Sequence, residues 1–260
     1  MWERPALVHP QTIMISSANH DLKLSQSQDY VLRCQPGTVA LDSRLVVWGG
    51  HDVEFEDCHL HVTQPDWAAY LQRQTGTLWV HDVYFGGSHL TGGIQMQEPG
   101  ATVVMRDVLF DRVYGSYKTN HAELLQTWCG PTRLLIDGLT GSTTYQGLFM
   151  LPNQWCSTPI SVFDLRHINI DDSQGAVALW LGDVNGGMSA MRLNLRDVYV
   201  EPNSGRKWRG WWLWPQPPAG TWSPVIAGAP PGGTFVQSSS TGAQGVDENS
   251  APEALPGEQN

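Results

Sequence analysis

Short runs of alternating apolar and polar residues recur along the chain, and turn-forming residues separate them. Examples are LVVW at 45–48, TLWV at 77–80, TVVM at 102–105 and RLLI at 133–136. Alternation with a period of two between turn residues is typical of β-strands, and no convincing amphipathic helix lies between the runs. The pattern therefore predicts an all-β protein.

The alternating runs belong to a longer repeat, in which a turn-like polar residue is followed by alternating apolar positions. The segments are HDLKL, HDVEF, HDVYF, RDVLF, IDGLT, RHINI and RDVYV, with the polar residue at Asp21, Asp52, Asp82, Asp107, Asp137, His167 and Asp197. The steps between these positions are 31, 30, 25, 30, 30 and 30 residues. A unit of two or three short strands cannot bury its apolar face alone, so it must stack on copies of itself.

In this coil repeat the chain resembles the right-handed parallel β-helix, or pectin-lyase-like, superfamily over roughly residues 12–215. The resemblance implies an all-β fold: a right-handed single-stranded parallel β-helix (solenoid) of about seven coils. A β-propeller would need blades of about 40 residues with hairpin turns, and a leucine-rich solenoid would show its LxxLxL signature. Neither signal is present.

The composition changes at both ends of the repeat. We expect an N-terminal cap at 1–11, the β-helix domain at 12–215 and a proline-rich segment at 216–231. From 232 to 260 the chain is polar and small, which predicts a disordered tail.

The repeated polar residue is expected to be structural. Stacked positions lie about 4.8 Å apart, where two carboxylates repel by roughly 0.9 kcal/mol in water and about 3.5 kcal/mol at an effective dielectric near 20. We expect each Asp to accept backbone N–H groups at its turn. His167, between Asp137 and Asp197, should relieve one of the repulsive contacts.

Charge and cysteine content narrow the function classes. The net charge is −10 with only three lysines, so nucleic acid is not an expected partner. No apolar run is long enough to cross a membrane as a helix, and the N-terminus lacks a secretory signal, so we expect no membrane partner. This leaves a cytoplasmic setting, or an extracellular or virion one after trimming.

The four cysteines form no CxxC pair, which argues against a zinc or thioredoxin-type site. Cys129 and Cys156 lie 27 residues apart, close to one coil, so they are either a disulfide or free thiols. Free thiols are the default for an unexported protein.

The stretch HAELLQTW at 121–128 carries the densest candidate chemistry. If Leu124 packs inward, His121 and Glu123 project together into an outward groove. If Leu125 packs inward instead, Gln126 and Trp128 project, and Glu123 needs a buried partner. The alternation leaves both registers open.

An acid–base reaction on a sugar would use the polar residues in and before this stretch. We expect His121 or Lys118 as the base, and Tyr117, Tyr145 or Glu123 as its partner or acid. Indole rings suit the apolar face of a sugar and amides suit its hydroxyl groups. The expected ligand-binding residues are Arg112, Gln126, Trp128, Tyr145, Gln146, Asn153 and Trp180. No metal ligand set and no cofactor is indicated, and calcium has no specific support.

The motifs of the superfamily's enzymes are mostly absent. Asp171-Asp172 has no NTD before it and no GHG after it, and the RxPxxR context of pectate-lyase-like enzymes is missing. The remaining likeness is to bacterial β-helix proteins with HxD followed by glutamine, where Glu123 stands in place of the aspartate.

Three functions follow from these observations. The first is a carbohydrate-active enzyme, such as a polysaccharide lyase, hydrolase or epimerase, acting on a polysaccharide or oligosaccharide. The second is a non-catalytic glycan-binding or structural β-helix, such as a phage tail or surface component. The third is an intracellular enzyme on a small metabolite. The sequence also allows a homo-oligomer.

Overall fold

The computed structural model describes residues 2–88, 90–157, 161–182, 191–205, 212–215 and 225–237. Across these residues the fold is all-β, as the alternation predicts, and none of them lies in a helix that could span a membrane. The strands are β1 (Gln11–Ile15), β2 (Asp21–Leu24), β3 (Tyr30–Cys34), β4 (Thr38–Leu41), β5 (Leu45–Gly49), β6 (Val53–Val62), β7 (Asp66–Gln72), β8 (Thr77–Gly86), β9 (Leu90–Gln97), β10 (Thr102–Phe110), β11 (Glu123–Cys129), β12 (Arg133–Ser142), β13 (Gln146–Met150), β14 (Ser161–Asp172), β15 (Val177–Trp180), β16 (Met191–Pro202), β17 (Leu213–Trp214) and β18 (Val225–Ala227).

The strands form two parallel sheets, and the chain passes between them. The larger sheet has ten strands in the order β1-β3-β6-β8-β10-β12-β14-β16-β18, with β4 also paired to β6. The smaller sheet has eight strands in the order β17-β15-β13-β11-β9-β7-β5-β2. One apolar core takes side chains from both sheets. This arrangement is compatible with a parallel β-solenoid.

The long strands of the larger sheet each contain one residue in the left-handed backbone region. In β10 the residues that pack into the core are Val103, Met105, Val108 and Phe110, so the inward alternation skips one position between Met105 and Val108. Asp107 has a φ of 50°. Both halves of the strand can therefore face the same core.

The residues with left-handed backbone conformation stack in a column, and its members differ from those of the Asp column expected from the sequence. The left-handed members are Asp57, Asp82, Asp107, Gly138, His167 and Asp197, with φ between 48° and 53° at the non-glycine positions. Asp21 and Asp52 lie elsewhere, and Asp137 precedes the column by one residue. Gly138 holds the position instead, where a Cβ would lie 2.8 Å from Asp107 Oδ1. Asp and His are among the side chains that tolerate this conformation best.

The expected role of His167 is confirmed. Its Nδ1 lies 2.5 Å from Asp137 Oδ1 and its Nε2 lies 3.5 Å from Asp197 Oδ2. The Asp137 carboxylate therefore contacts an imidazole rather than the turn N–H groups that the sequence led us to expect.

The N-terminal segment, for which the sequence predicts a cap, contacts the outer face of the larger sheet. Trp2 packs on Trp79, Val104 and Leu135, which lie on the outer face of the larger sheet. Arg4 forms ion pairs with Glu54 and Glu56 of β6. Residues 2–8 thus cross the larger sheet as a strap.

The C-terminal segment docks on the same sheet. The backbone N–H of Val236 donates to Thr140 Oγ1 (3.0 Å), and that of Phe235 donates to Asn169 Oδ1 (3.1 Å). Val236 is buried. Residues 232–237 therefore lie against the sheet rather than in the predicted tail, while 216–224 and the tail from 238 lie outside the described residues.

The four cysteines form two disulfides, whereas free thiols were the default expectation for an unexported protein. Cys129 pairs with Cys156, as one of the two open alternatives had it. Cys34 pairs with Cys58, a pairing that the sequence did not suggest.

Val108 provides a test of the inward register of β10. Its side chain is fully buried. Val108→Asp should prevent folding, because an unpaired buried charge costs several kcal/mol against a stability of about 5–15 kcal/mol. The adjacent outward Leu109→Asp is the matched control and should fold. Thermal melting measures both; unchanged melting of V108D would contradict the register.

The buried carboxyl group of Asp172 should lower the free energy of unfolding as the pH rises. Its carboxyl is fully buried, and burial, followed by the nearby Asp171, raises its pKa from 3.8 to about 8. Between these values the folded state holds a proton that the unfolded state has lost, so the free energy of unfolding falls as pH rises, by up to about 1.4 kcal/mol per pH unit.

Denaturant unfolding of the wild type and Asp172→Asn between about pH 5 and pH 8 measures this effect. The wild type should lose stability more steeply than D172N, which cannot ionise at this position. Parallel curves would show that Asp172 is not held protonated.

Candidate functional site

Two consecutive leucines of β11 pack into the core, so the strand combines both registers that the sequence left open. Leu124 and Leu125 are both fully buried in the central apolar cluster. A strict alternation would have placed one of them outside. Because both point inward, Glu123 before them and Gln126 after them occupy the outer face of the smaller sheet.

The neighbouring strands support this assignment. The residue rows through Glu123 and Gln126 continue on β13 and β15 into an apolar cluster separate from the core. In that outer cluster Val177 belongs to the row of Glu123, and Trp180 to the row of Gln126. The rows are Glu123, Gln146 and Val177, and Gln95, Gln126, Phe149, Trp180 and Trp214.

Glu123 is a neutral acid at physiological pH. Its side chain is only 1% exposed, and burial raises its pKa from 4.5 to about 9, against a smaller lowering by its own backbone N–H. Its Oε2 has no hydrogen-bond partner among the described residues. Such a group holds a proton that a ligand oxygen could accept.

Gln146 lies in register with Glu123 on the neighbouring strand, and Gln95 and Gln126 form a second row three residues further along β11. Gln95 Nε2 donates to Gln126 Oε1 at 3.0 Å across two neighbouring strands. Gln95 Oε1 and Gln146 Oε1 are buried and have no partner among the described residues. Buried polar atoms are nearly always hydrogen-bonded, so these oxygens and Glu123 mark the part of the outer face where hydrogen-bonding capacity is left unused among the described residues.

The loop before β11 brings three of the predicted residues together. The His121 ring lies 5.6 Å from the Tyr117 ring and 5.1 Å from the Tyr145 ring. His121 Nε2 lies 3.3 Å from the Tyr117 carbonyl oxygen. Burial, with the nearby Glu123 as the next cause, raises the pKa of Tyr145 to about 12. His121 is exposed, so this aromatic group is accessible from solvent.

Other predicted residues lie further from the acid or have partners. Lys118 and Asn153 are exposed on two different loops. Arg112 Nη2 lies 3.1 Å from Asp171 Oδ2, and its Nε donates to Ser142 Oγ at 3.2 Å. Arg112 is thus tied to the C-terminal ends of β12 and β14.

The aromatic residues of the outer face stack along the strand order. Phe149 and Trp180 have ring centroids 5.0 Å apart, and those of Trp180 and Trp214 are 6.3 Å apart. Trp180 is nearly buried, and its indole N–H donates to the Gly182 carbonyl at 2.8 Å. Trp128 is half-buried beside the exposed Trp155.

Gln95, one of the glutamines that the sequence offers as neighbours for a sugar-binding indole, lies 31 residues before Gln126. The two are in register on neighbouring strands.

Two other polar groups do not form the candidate site. Asp29, His51 and Asp52 have ligand-type atoms within 4.8 Å of one another. Asp29 already accepts the N–H groups of Val8 (2.6 Å) and Asp52 (3.2 Å), and lies 2.9 Å from His51 Nδ1. These contacts hold the Asp29 carboxylate between the N-terminal segment and the residues before β6.

A cavity of about 390 Å³ lies on the larger sheet under residues 230–235, beside His167, Asp197 and Tyr199. Its imidazole is paired with Asp137 and Asp197, whereas the buried acid and amide oxygens of the smaller sheet lack partners. We therefore place the candidate site on the smaller sheet.

No protein-family model matches the sequence, and searches of curated proteins and of solved structures returned no significant match. The functional argument therefore rests on the geometry of this chain.

The protonation of Glu123 can be measured directly. The infrared difference between the wild type and Glu123→Gln should contain a protonated carboxyl band at neutral pH. This band should disappear with a midpoint near pH 9, because burial disfavours the charged form. A midpoint near the ordinary value of 4.5 would show that Glu123 is solvated.

Proposed function

We propose that this chain is a right-handed single-stranded parallel β-helix of about seven coils, of the pectin-lyase-like type, and that it is a carbohydrate-active protein. The left-handed position recurring in the long strands supports the coil assignment. The glycan would bind along the outer face of the smaller sheet.

The observation that carries this proposal is a buried neutral acid beside unpaired amide oxygens and an aromatic row. Sugars present hydroxyl groups at their edges and apolar C–H groups on their faces. The hydroxyls match Glu123 and the glutamine amides, and the C–H faces match indole and phenyl rings. Because the site's polar groups are uncharged and the chain carries a net charge of −10, a neutral glycan fits better than an acidic one.

The protonated Glu123 supports hydrolysis of a sugar bond. A carboxylic acid with a raised pKa is the general acid of many glycosidases. Glu123 would give its proton to the glycosidic oxygen as the bond to the anomeric carbon breaks. A water molecule would attack that carbon and lose a proton to His121, and proton exchange with solvent would restore both residues.

Non-catalytic glycan binding is the second candidate. Most glycosidases place two carboxyl groups across the scissile bond. No other carboxylate contributes to the raised pKa of Glu123, and the acid is almost enclosed. These two facts favour binding without cleavage. The two disulfides are typical of oxidising compartments and disfavour the intracellular small-metabolite enzyme.

A polysaccharide array, followed by measurement of released reducing ends, tests the proposal. The wild type should bind at least one neutral polysaccharide and release reducing ends from it. Glu123→Gln should keep the binding but lose at least about 100-fold in rate, because the amide cannot donate the proton. Binding without release by the wild type would establish the second candidate, and absence of binding would refute both.

Asp137→Ala supplies the scaffold control for His121→Ala. H121A should reduce activity or weaken binding by about 1–3 kcal/mol while melting stays within about 1 kcal/mol. D137A should lower melting, because His167 loses its partner, and keep ligand affinity in the folded fraction. The opposite pattern would move the site to the larger sheet.

A further inference from the structure

A pair of tryptophans lies at the far end of β11 from Glu123. The ladder with β9 pairs Thr127 with Met96 and Cys129 with Gln97, so Trp128 is the extra residue of a β-bulge. A bulge frees a residue from the ladder and redirects its side chain. The Trp128 ring lies 3.9 Å from that of Trp155, with the planes at 47°.

The tryptophan pair is partly exposed to solvent, so packing of the core does not account for its position. Trp155 is 58% exposed, whereas the other tryptophans among the described residues are buried or half-buried. A large aromatic side chain usually buries most of its surface, and an exposed one with a fixed neighbour is often a contact surface. The indoles therefore offer a prepared apolar face to a ligand.

A disulfide holds this face in place. Cys129 and Cys156 are bonded, and each directly follows one of the two tryptophans. The N–H of Trp155 also donates to the carbonyl of Trp128 at 3.0 Å. The loop at 151–157 is thus fixed to the strand end on both sides of the aromatic pair.

The distance between Glu123 and Trp128 sets the length of a ligand that can extend from one to the other. Trp128 lies five residues after Glu123 along β11, which corresponds to roughly 16 Å at about 3.3 Å per residue. One sugar ring cannot touch both ends. A chain of several sugars, extended along the strand direction, can.

We propose that Trp128 and Trp155 form a distal subsite for one uncharged pyranose ring of an oligosaccharide whose other end lies over Glu123 on the outer face of the smaller sheet. This inference rests on the proposed function and adds a minimum chain length to it. Asn153 and Gln154, both exposed in the same loop, are the hydrogen-bonding residues nearest in sequence for the sugar hydroxyls. Cys129 and Cys156 position the subsite and do not contact the sugar.

Calorimetry with oligomers of two, four and six units from cellulose, chitin and xylan tests the subsite, together with oligomers of any other polysaccharide that the array identifies. The wild type should bind the hexamer at least about tenfold more tightly than the dimer. Trp155→Ala should remove this gain and leave dimer affinity unchanged. A gain that survives in W155A, or no gain in the wild type, would overturn the subsite. Absence of binding by every oligomer would refute the proposed function itself.

The second disulfide gives a matched control for the positioning role. The double variant Cys129→Ser with Cys156→Ser should lose the gain with chain length, because Trp155 is no longer held against Trp128. The variant Cys34→Ser with Cys58→Ser, which opens the bridge between β3 and β6, should keep the gain in its folded fraction even if melting falls.

The two variants are compared by hexamer-to-dimer affinity ratio at a temperature where circular dichroism shows both folded. Equal ratios would show that the Cys129–Cys156 bridge does not position the subsite. A ratio lost in both would mean that binding follows overall stability, which also overturns the positioning role.

Discussion

A strand that turns a corner must keep its apolar side chains on one side, and this constraint shapes the larger sheet. A left-handed residue in the middle of each long strand adds one position to the alternation, so both halves face the core. Few side chains tolerate that conformation, which accounts for Asp, His and Gly at these positions. Stacking also brings carboxylates close together, and His167 separates two of them by standing between Asp137 and Asp197.

The smaller sheet departs from alternation in a second way, and its chemistry depends on that departure. With Leu124 and Leu125 both in the core, Glu123 and Gln126 emerge on one outer face. Side chains stacked about 4.8 Å apart along each row then exclude water from one another. An acid in such a row is desolvated by its neighbours, which explains a raised pKa without a charged partner.

The sequence predicted the all-β character and the repeat because local alternation and turn residues encode them. It misplaced the column at IDGLT, since Asp137 and Gly138 are adjacent and both suit a turn. It left the register of Leu124 and Leu125 open, because two consecutive apolar residues fit either register. The strap from Trp2 to Arg4 and the bridge from Cys34 to Cys58 depend on contacts between distant segments, which no local pattern reveals.

The same distinction between local patterns and contacts of distant segments applies to the predicted site residues. His121, Tyr117 and Tyr145 meet because one loop and one turn are stacked, which the coil repeat implies. The sequence indicates a rim or outward position for Trp155, but its contact with Trp128 depends on a bulge and a disulfide that local patterning does not reveal. A row of side chains stacked across a parallel sheet can keep an acid neutral only while its neighbours stay uncharged, as Gln146 and Val177 are. A second catalytic carboxylate would restore charge repulsion if it stood in the same row, so any partner of Glu123 must come from the loops that border the face.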